Sequence, residues 1–595
     1  MGNERRHINV VMRYGCQLLR AGVVAFLLWL SVRPVEVRWA DADVMLGAGI
    51  PVAGVIGVLC VLLKKGEARV TVVDGLAMVW AAYYVGRVWL GAEYPCGMDF
   101  LKAVEMLLLY FVLRAVMCDG RLSAWWLVAG IAVCGAYEAL LGVCQMLAGA
   151  GRHHLFVLTG TFQNPGPYSA YLMMAAVMGL RASLCGEGVL RGGGGCGGLS
   201  PGVARGVRYV CHAMVLLPLL VLPATWSRAA FAGLAVCALW ICRRKYWKYR
   251  FLVWGGLAAL AVALYFMKRG SADGRALVWM ASLTSWAHDM WLGVGVGGFR
   301  HACAEGIAEM WGANPDSGMF ASAGVADYAY NALLKVLVEQ GLTGASLCVA
   351  TVGFAMVRLF RRSMALFMGM LSLLVFSMFS YPFELLPYTI VGVLVAAWSE
   401  SGEDNTPRNL LVSKTMCIFA LVIMAATGWF VKGEVERRFQ YDKDASLFAG
   451  THDAAFLTDY HELLPWETDN PQYLFDFAKT LRSERRYRDS NAVLRRGALV
   501  SADPMFYIIM GNNYRDGQFY DLAEEAYRKA YAIMPNRLYP LYQLMMMYAG
   551  MGEREKACGM AEVVRKSYVK IESGATRQMR EKADSIMTPY VKPMR

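Results

Sequence analysis

The sequence predicts an all-α protein in two parts: a polytopic membrane helical bundle of about 12–13 spans, then a soluble helical-repeat domain. Three observations predict it. Of 595 residues, 57% are hydrophobic, above the roughly 45–50% typical of soluble domains, and the mean hydropathy is +0.38. Apolar runs of membrane-crossing length fill about the first 430 residues, whereas about the last 160 are dense in Arg, Lys, Asp and Glu. That charged tail carries an internal repeat. The division is 1–432 for the membrane part and 433–595 for the tail.

A bilayer core takes about 20 apolar residues per helix. Candidate spans lie near 16–33, 44–63, 71–91, 100–118, 123–148, 166–185, 208–225, 228–242, 250–267, 339–358, 364–381, 384–398 and 412–431. The N-terminal MGNERRHINVVMRYGC is charged and lacks a small-residue cleavage site, so the first run reads as a retained helix. Basic residues sit in alternate loops: Lys64, Lys65 and Arg69; Arg121; Arg191, Arg205 and Arg208; RRKYWKYR from Arg243 to Arg250; Arg358, Arg361 and Arg362. Placing them inside puts the N-terminus in the cytoplasm. It puts GTFQNPGPY, the end of the run carrying Arg228, the large segment of about 268–338 and the whole tail on the outer, periplasmic face. The glycine run Gly192 to Gly198 reads as a flexible linker in a cytoplasmic loop.

Composition excludes several classes. The net charge of +13 falls in short clusters between apolar runs, so it argues for a membrane and against nucleic acid. The 15 cysteines are scattered, many within apolar runs, with no CxxC pair; they read as small core residues. The 8 histidines show no metal spacing and there is no HExxH, so no metal and no cofactor is expected. His153 and His154 read as polar boundary residues. WLGVGVGGFRHA lacks a βαβ context, so its glycines read as a tight backbone path and not as a dinucleotide loop.

The tail stretch DPMFYIIMGNNYRDGQFYDLAEEAYRKAYAIMPN places Gly511, Tyr514, Ala523, Tyr527, Ala530 and Pro535 at tetratricopeptide spacing. The next unit matches with Leu544, Tyr548 and Ala557, and the preceding unit puts Ser490 and Gly497 at the small positions. The clearest repeats cover 470–568. Small residues there let paired helices pack closely, and stacked pairs make a concave face. The array is expected to bind a protein partner or to brace the membrane part.

Four stretches stand out for chemistry. Arg228, in LPATWSRAAFAGLAV, marks a tight outer turn with Pro223 and Ser227; it reads equally as a functional cation or as a snorkelling arginine at the boundary. Lys268, Arg269, Arg275 and Arg300 make the outer segment basic, which suits a phosphate or pyrophosphate at headgroup depth or simple headgroup anchoring. His301 follows Arg300. In GTFQNPGPYSAYL the prolines end or kink a helix at the outer surface. Gln163, Asn164 and Tyr168 stand in that turn, which by itself also reads as a plain helix-entry turn.

TGTFQNPGPYSAYL, TWSRAAFAGL, GRALVWMASLTSWAHDMWLGVGVGGF and AYNALLKVLVEQGLTG together resemble, over about residues 150–400, motifs of the O-antigen ligase superfamily. That superfamily includes O-antigen ligases, some O-antigen polymerases and bacterial protein O-oligosaccharyltransferases. The resemblance implies transfer of a glycan from an undecaprenyl pyrophosphate carrier to lipid A core or to protein Ser/Thr, at the outer face of the inner membrane, without a metal. It implies that Arg228 and Arg275 bind the pyrophosphate, and with it Gln163 and Asn164 are expected to face the donor cavity and Tyr168 to stack on a sugar or seal the lipid. The family's favoured catalytic histidine is replaced here by Tyr330, ahead of Asn331, and a phenol with pKa near 10 is a poor base. Tyr330 then orients acceptor or phosphate, or His301 or Asp327 supplies the base, or little base is needed. The rival readings are a polysaccharide polymerase and, from another class, a non-enzymatic scaffold or a transporter; no inverted repeat of the transporter kind is visible.

Overall fold

Apolar runs with few breakers satisfy their backbone hydrogen bonds internally as helices, and the computed structural model is helical accordingly. It describes residues 17–32, 49–62, 68–90, 94, 97–117, 122–151, 155–185, 212–267, 269–315, 318–401, 411–412, 414–451 and 456–588. His153, His154, Lys268, Gly192 to Gly198, and the basic residues 64, 65, 121, 191, 205 and 208 lie outside the described residues.

The first part holds α1 (Gln17–Leu30) and α7 (His212–Thr225), with α2 (Ile50–Leu62), α3 (Val72–Leu90), α4 (Gly97–Met117), α5 (Ala124–Ala148), α6 (Pro165–Cys185), α8 (Arg228–Tyr246) and α9 (Arg250–Met267). It continues with α10 (Arg269–Trp286), α11 (Phe299–Ala313), α12 (Ala332–Arg362), α13 (Met364–Ser377), α14 (Leu386–Ser399) and α15 (Lys414–Thr451). One antiparallel pair of two-residue strands, Ala68–Arg69 with Leu411–Val412, forms a small sheet. Two described helices, α5 and α12, are long and apolar enough to cross a membrane by length and composition; α1, α2, α7, α13, α14 and residues 418–433 are shorter apolar stretches.

Three boundaries differ from expectation. The segment 268–338 is largely helical, holding α10, α11 and the start of α12. The span expected at 339–358 is continuous with residues 332–338 and breaks at Gly341 (φ 64°, ψ −170°). The boundary at 432/433 falls inside the 38-residue α15. Hydropathy marks where apolar sequence stops, but backbone hydrogen bonds carry a helix onward into polar sequence.

The core is assembled around α6, whose Tyr168 to Met178 are almost wholly buried. Close approach is permitted by glycines: a Cβ on Gly135 would lie 2.3 Å from Ala175 Cβ, and one on Gly369 2.2 Å from Met178 Cγ. The bundle has two polar ends. At one, Lys335 pairs with Glu384 at 3.1 Å and Lys102 donates to the Glu384 carbonyl. At the other, Arg114 holds Asp74 through Nε and Nη2, both at 3.0 Å, and donates to Glu400 O at 2.7 Å. Arg362 there donates to Trp398 O and Ser399 O. Helices α4, α12 and α14 therefore run in the same sense between the two ends.

The charged tail forms α16 (Phe456–Leu463), α17 (Pro471–Ser483), α18 (Tyr487–Val500), α19 (Met505–Asp516), α20 (Tyr520–Ile533), α21 (Tyr539–Gly550), α22 (Arg554–Lys566) and α23 (Gly574–Met587). From α17 to α23 each helix packs on the next, making a stack of helix pairs. The expected small positions lie at the crossings: a Cβ on Gly511 would sit 2.6 Å from the Tyr527 ring, and one on Gly497 2.0 Å from Phe506. Ser490, Ala523, Ala530 and Ala557 are buried. This stack is joined to α10, α11 and residues 318–322 through one core, in which Ala502, Ile533 and Met534 pack with Leu277, Phe299 and Phe320.

Candidate functional site

Helix ends at the Lys335–Glu384 end of the bundle gather the chemistry. Trp226 takes a left-handed conformation (φ 49°) at the end of the Leu222–Thr225 turn, so that α8 begins on Arg228. A cation in the first turn opposes the helix dipole, which makes this a costly place for arginine unless an anion is near. Arg275, in the second turn of α10, lies close enough to Arg228 for the two charges to repel. Burial, and then Arg228, push the Arg275 guanidinium down from its ordinary value.

Arg275 is held from two directions. Its Nη1 donates to Phe379 O at 2.8 Å, and its Cζ lies 5.1 Å from the centre of the Tyr330 ring. Its Nε and Nη2 donate to no protein acceptor among the described residues. Tyr330 is itself left-handed, φ 51°, a conformation uncommon for a large side chain and costing about 1–3 kcal/mol where the surroundings impose it. Burial raises the Tyr330 phenol above its ordinary value, with Arg275 pulling the other way. The group is therefore a neutral hydrogen-bond donor at physiological pH. Tyr328 completes the wall, stacked on Tyr381 with centroids 3.8 Å apart and planes 5° from parallel.

The remaining expected residues take other places. Asn331 caps α12, its Oδ1 accepting from Leu334 N at 3.0 Å. Asn164 closes a turn, its Oδ1 accepting from Gly166 N at 2.8 Å, and Gln163 beside it is exposed. Tyr168 is 0% exposed and donates to Glu138 O at 3.0 Å. Its ring has no face open to a sugar or lipid, which corrects the stacking expectation: the tyrosine follows a helix-starting proline turn and points inward. His301 faces the helix stack, with Nδ1 3.0 Å from Ala498 O, and lines a cleft of about 970 Å³ with Glu305, Asp521 and Glu524. Arg300 reaches Asp327 O at 3.4 Å and Val500 O at 3.3 Å. Asp327 is exposed. Among the described residues no group of three His, Cys, Asp or Glu side chains is placed to hold a metal ion.

The glycine block has a different role from a loop path alone. Val294 N and Gly295 N donate to Val338 O and Glu339 O, and Leu342 N donates to Met290 O. The block thus satisfies the carbonyls freed by the break at Gly341, and a Cβ on Gly341 would lie 2.2 Å from Trp291 O. The GTFQNPGPY stretch is tied to α5 by Glu138 and Gln145. Gln145 Oε1 accepts from Thr159 N and Gly160 N, at 2.9 and 2.7 Å, and Glu138 accepts from Thr161 N at 3.0 Å.

Sequence reasoning missed Tyr381, Phe379, Glu138 and Gln145. A signal existed for the first two: FSYPFELLPY between two apolar runs repeats the aromatic and proline character of the GTFQNPGPY stretch. Glu138 and Gln145, single polar residues in an apolar run, carried the usual mark of an intramembrane polar site. No protein-family model, curated protein or solved structure matches this chain.

Proposed function

We propose that this chain is a polytopic glycosyltransferase of the bacterial inner membrane that resembles the O-antigen ligase superfamily, with its tetratricopeptide-like tail in the periplasm. It transfers a glycan from an undecaprenyl pyrophosphate carrier to lipid A core or to an exported protein. The observation that supports it most is the pairing of Arg228 with Arg275. Two repelling cations, one with guanidinium nitrogens uncommitted, are stabilised together by a polyanion, and a planar fork binds two phosphate oxygens at once. The membrane reading is supported by the two charged ends of the bundle: the 14 residues of α14 separate them by about 21 Å at 1.5 Å per residue, with apolar side chains between.

In the reaction an acceptor hydroxyl oxygen bonds to the anomeric carbon while the carbon–oxygen bond to the pyrophosphate breaks. The hydroxyl proton leaves to a base or to water. Pyrophosphate is already a good leaving group, so fixed positive charge in a partly dry site does most of the work. Arg275 and Arg228 take the departing charge, and Tyr330, a neutral donor, orients phosphate or acceptor.

Deleting the gene in its host and running envelope extracts on a glycan-stained gel tests this. Loss of a protease-resistant ladder, with carrier-linked glycan accumulating, means ligation to lipid; loss of protease-sensitive bands means protein glycosylation. A ladder collapsed to one repeat means a polymerase, and an unchanged gel overturns the transferase reading in favour of a scaffold or transporter.

A further inference from the structure

The turn between α13 and α14 touches Arg275, Tyr328 and Tyr330. Phe379 supplies the carbonyl that accepts from Arg275 Nη1 at 2.8 Å. Two residues on, the Tyr381 ring lies flat against Tyr328 and edge-on to Tyr330, with centroids 5.8 Å apart and planes at 72°. Tyr328 also meets Tyr330 edge-on, at 6.3 Å. Tyr330 is therefore propped from two sides while its own backbone is left-handed, and its ring is the surface on which the guanidinium rests. Removing a prop gives a strained residue room to relax, and the guanidinium loses its platform. The Tyr381 hydroxyl makes no hydrogen bond among the described residues, so the contact is made by the ring.

We propose that Tyr381 is a positioning residue for Arg275, holding the Tyr330 ring against the guanidinium so that its uncommitted nitrogens stay turned toward the pyrophosphate. This rests on reading the site as a pyrophosphate-binding transferase centre. The ring acts through Arg275 and touches neither the transferred sugar nor the acceptor.

The test uses the full chain purified in lipid nanodiscs, with calorimetric titration of inorganic pyrophosphate and steady-state transfer kinetics on three variants. Tyr381→Phe is expected to match the wild type in both, because the ring is kept. Tyr381→Leu and Tyr381→Ala are expected to weaken pyrophosphate binding and raise KM for the donor by about five- to tenfold, the scale of a partly desolvated cation–π contact, and to lower kcat as well, because Arg275 takes the charge of the leaving group. Pyrophosphate affinity and donor KM unchanged in Tyr381→Leu overturn the proposal, as does a Tyr381→Phe defect equal to that of Tyr381→Leu. If Tyr381→Ala does not fold, Tyr381→Leu decides, since it keeps most of the volume. A wild-type chain that binds no pyrophosphate overturns the transferase reading itself, whereas wild-type binding with an unaffected Tyr381→Leu overturns the positioning role alone.

Discussion

The guanidinium of Arg275 rests on the ring of Tyr330, Cζ 5.1 Å from its centre, while Nη1 is fixed on the carbonyl of Phe379. One face and one nitrogen are committed; the rest of the fork is presented beside Arg228. A lysine keeps the charge but loses the fork and the stacking surface. Arg275→Lys is expected to lower kcat/KM for a pyrophosphate-linked donor by roughly 10- to 150-fold, about 1.5–3 kcal/mol, the value of charge-assisted hydrogen bonds. The melting temperature should stay near that of the wild type. Equal kcat/KM in the two proteins would remove Arg275 from the site.

Tyr330 gives the chain an alkaline limit. Burial raises its pKa above the ordinary 10.0, so folding favours the neutral phenol. That stabilisation is complete below the unfolded pKa and is lost as pH rises through the folded value. Melting temperatures measured from about pH 8 to 11 should fall at the alkaline end, and fall less steeply in Tyr330→Phe. Identical alkaline limbs for the two proteins would contradict this.

The GTFQNPGPY stretch should depend on Gln145 more than on its own polar residues. The Gln145 carboxamide accepts from two backbone amides and donates to Gly160 O at 2.8 Å, all buried. Gln145→Leu strands those groups and is expected to cost about 2–4 kcal/mol, more than any single exposed residue of the stretch. Gly160→Ala should be comparably harmful, since φ is +58° and a Cβ would meet Glu138 Oε2 at 2.2 Å. Denaturation followed by intrinsic fluorescence ranks Gln145→Leu, Gly160→Ala and Gln163→Ala, and Gln163→Ala should be the mildest.

Asn536 ties the helix stack to the segment of residues 318–323. Its Nδ2 lies 3.3, 3.1 and 2.8 Å from the carbonyls of Phe320, Ala321 and Ala323. Asn536→Ala takes its donor from Ala321 O and leaves Phe320 O and Ala323 O only Ala323 N and Lys570 Nζ, which should loosen residues 318–323. Limited proteolysis is expected to cut near that segment sooner in the variant, with the helix stack itself still resistant. Unchanged cleavage would show that the shared apolar core alone holds the two parts.

Asn331 is a cap before it is anything else. Its replacement by Ala should cost about 1 kcal/mol, and by Asp much less, because either carboxylate or carboxamide oxygen accepts from the N3 amide. Full activity in Asn331→Asp is the expected outcome; a loss with an unchanged melting temperature would give the side chain a direct part in the chemistry.

The helical class, the charged helix-pair tail and its small crossing positions followed from sequence, because periodicity and side-chain volume act locally. Gly497 and Gly511 are legible in that sense: a close crossing leaves no room for a Cβ whatever the rest of the chain does. The site was only partly legible. Arg228 and Arg275 stood out as cations at the edges of apolar runs, but Tyr381 joins them from residues more than a hundred positions away from Arg275. Tyr168 and His301 show the converse, since polar character beside a motif does not say which way a side chain points. The break at Gly341, the glycine block that satisfies it and the core shared by the helix stack with α10 and α11 were decided by tertiary structure. Their energies come from contacts distant in sequence, in which one segment's unpaired backbone groups or apolar face find their partner in another.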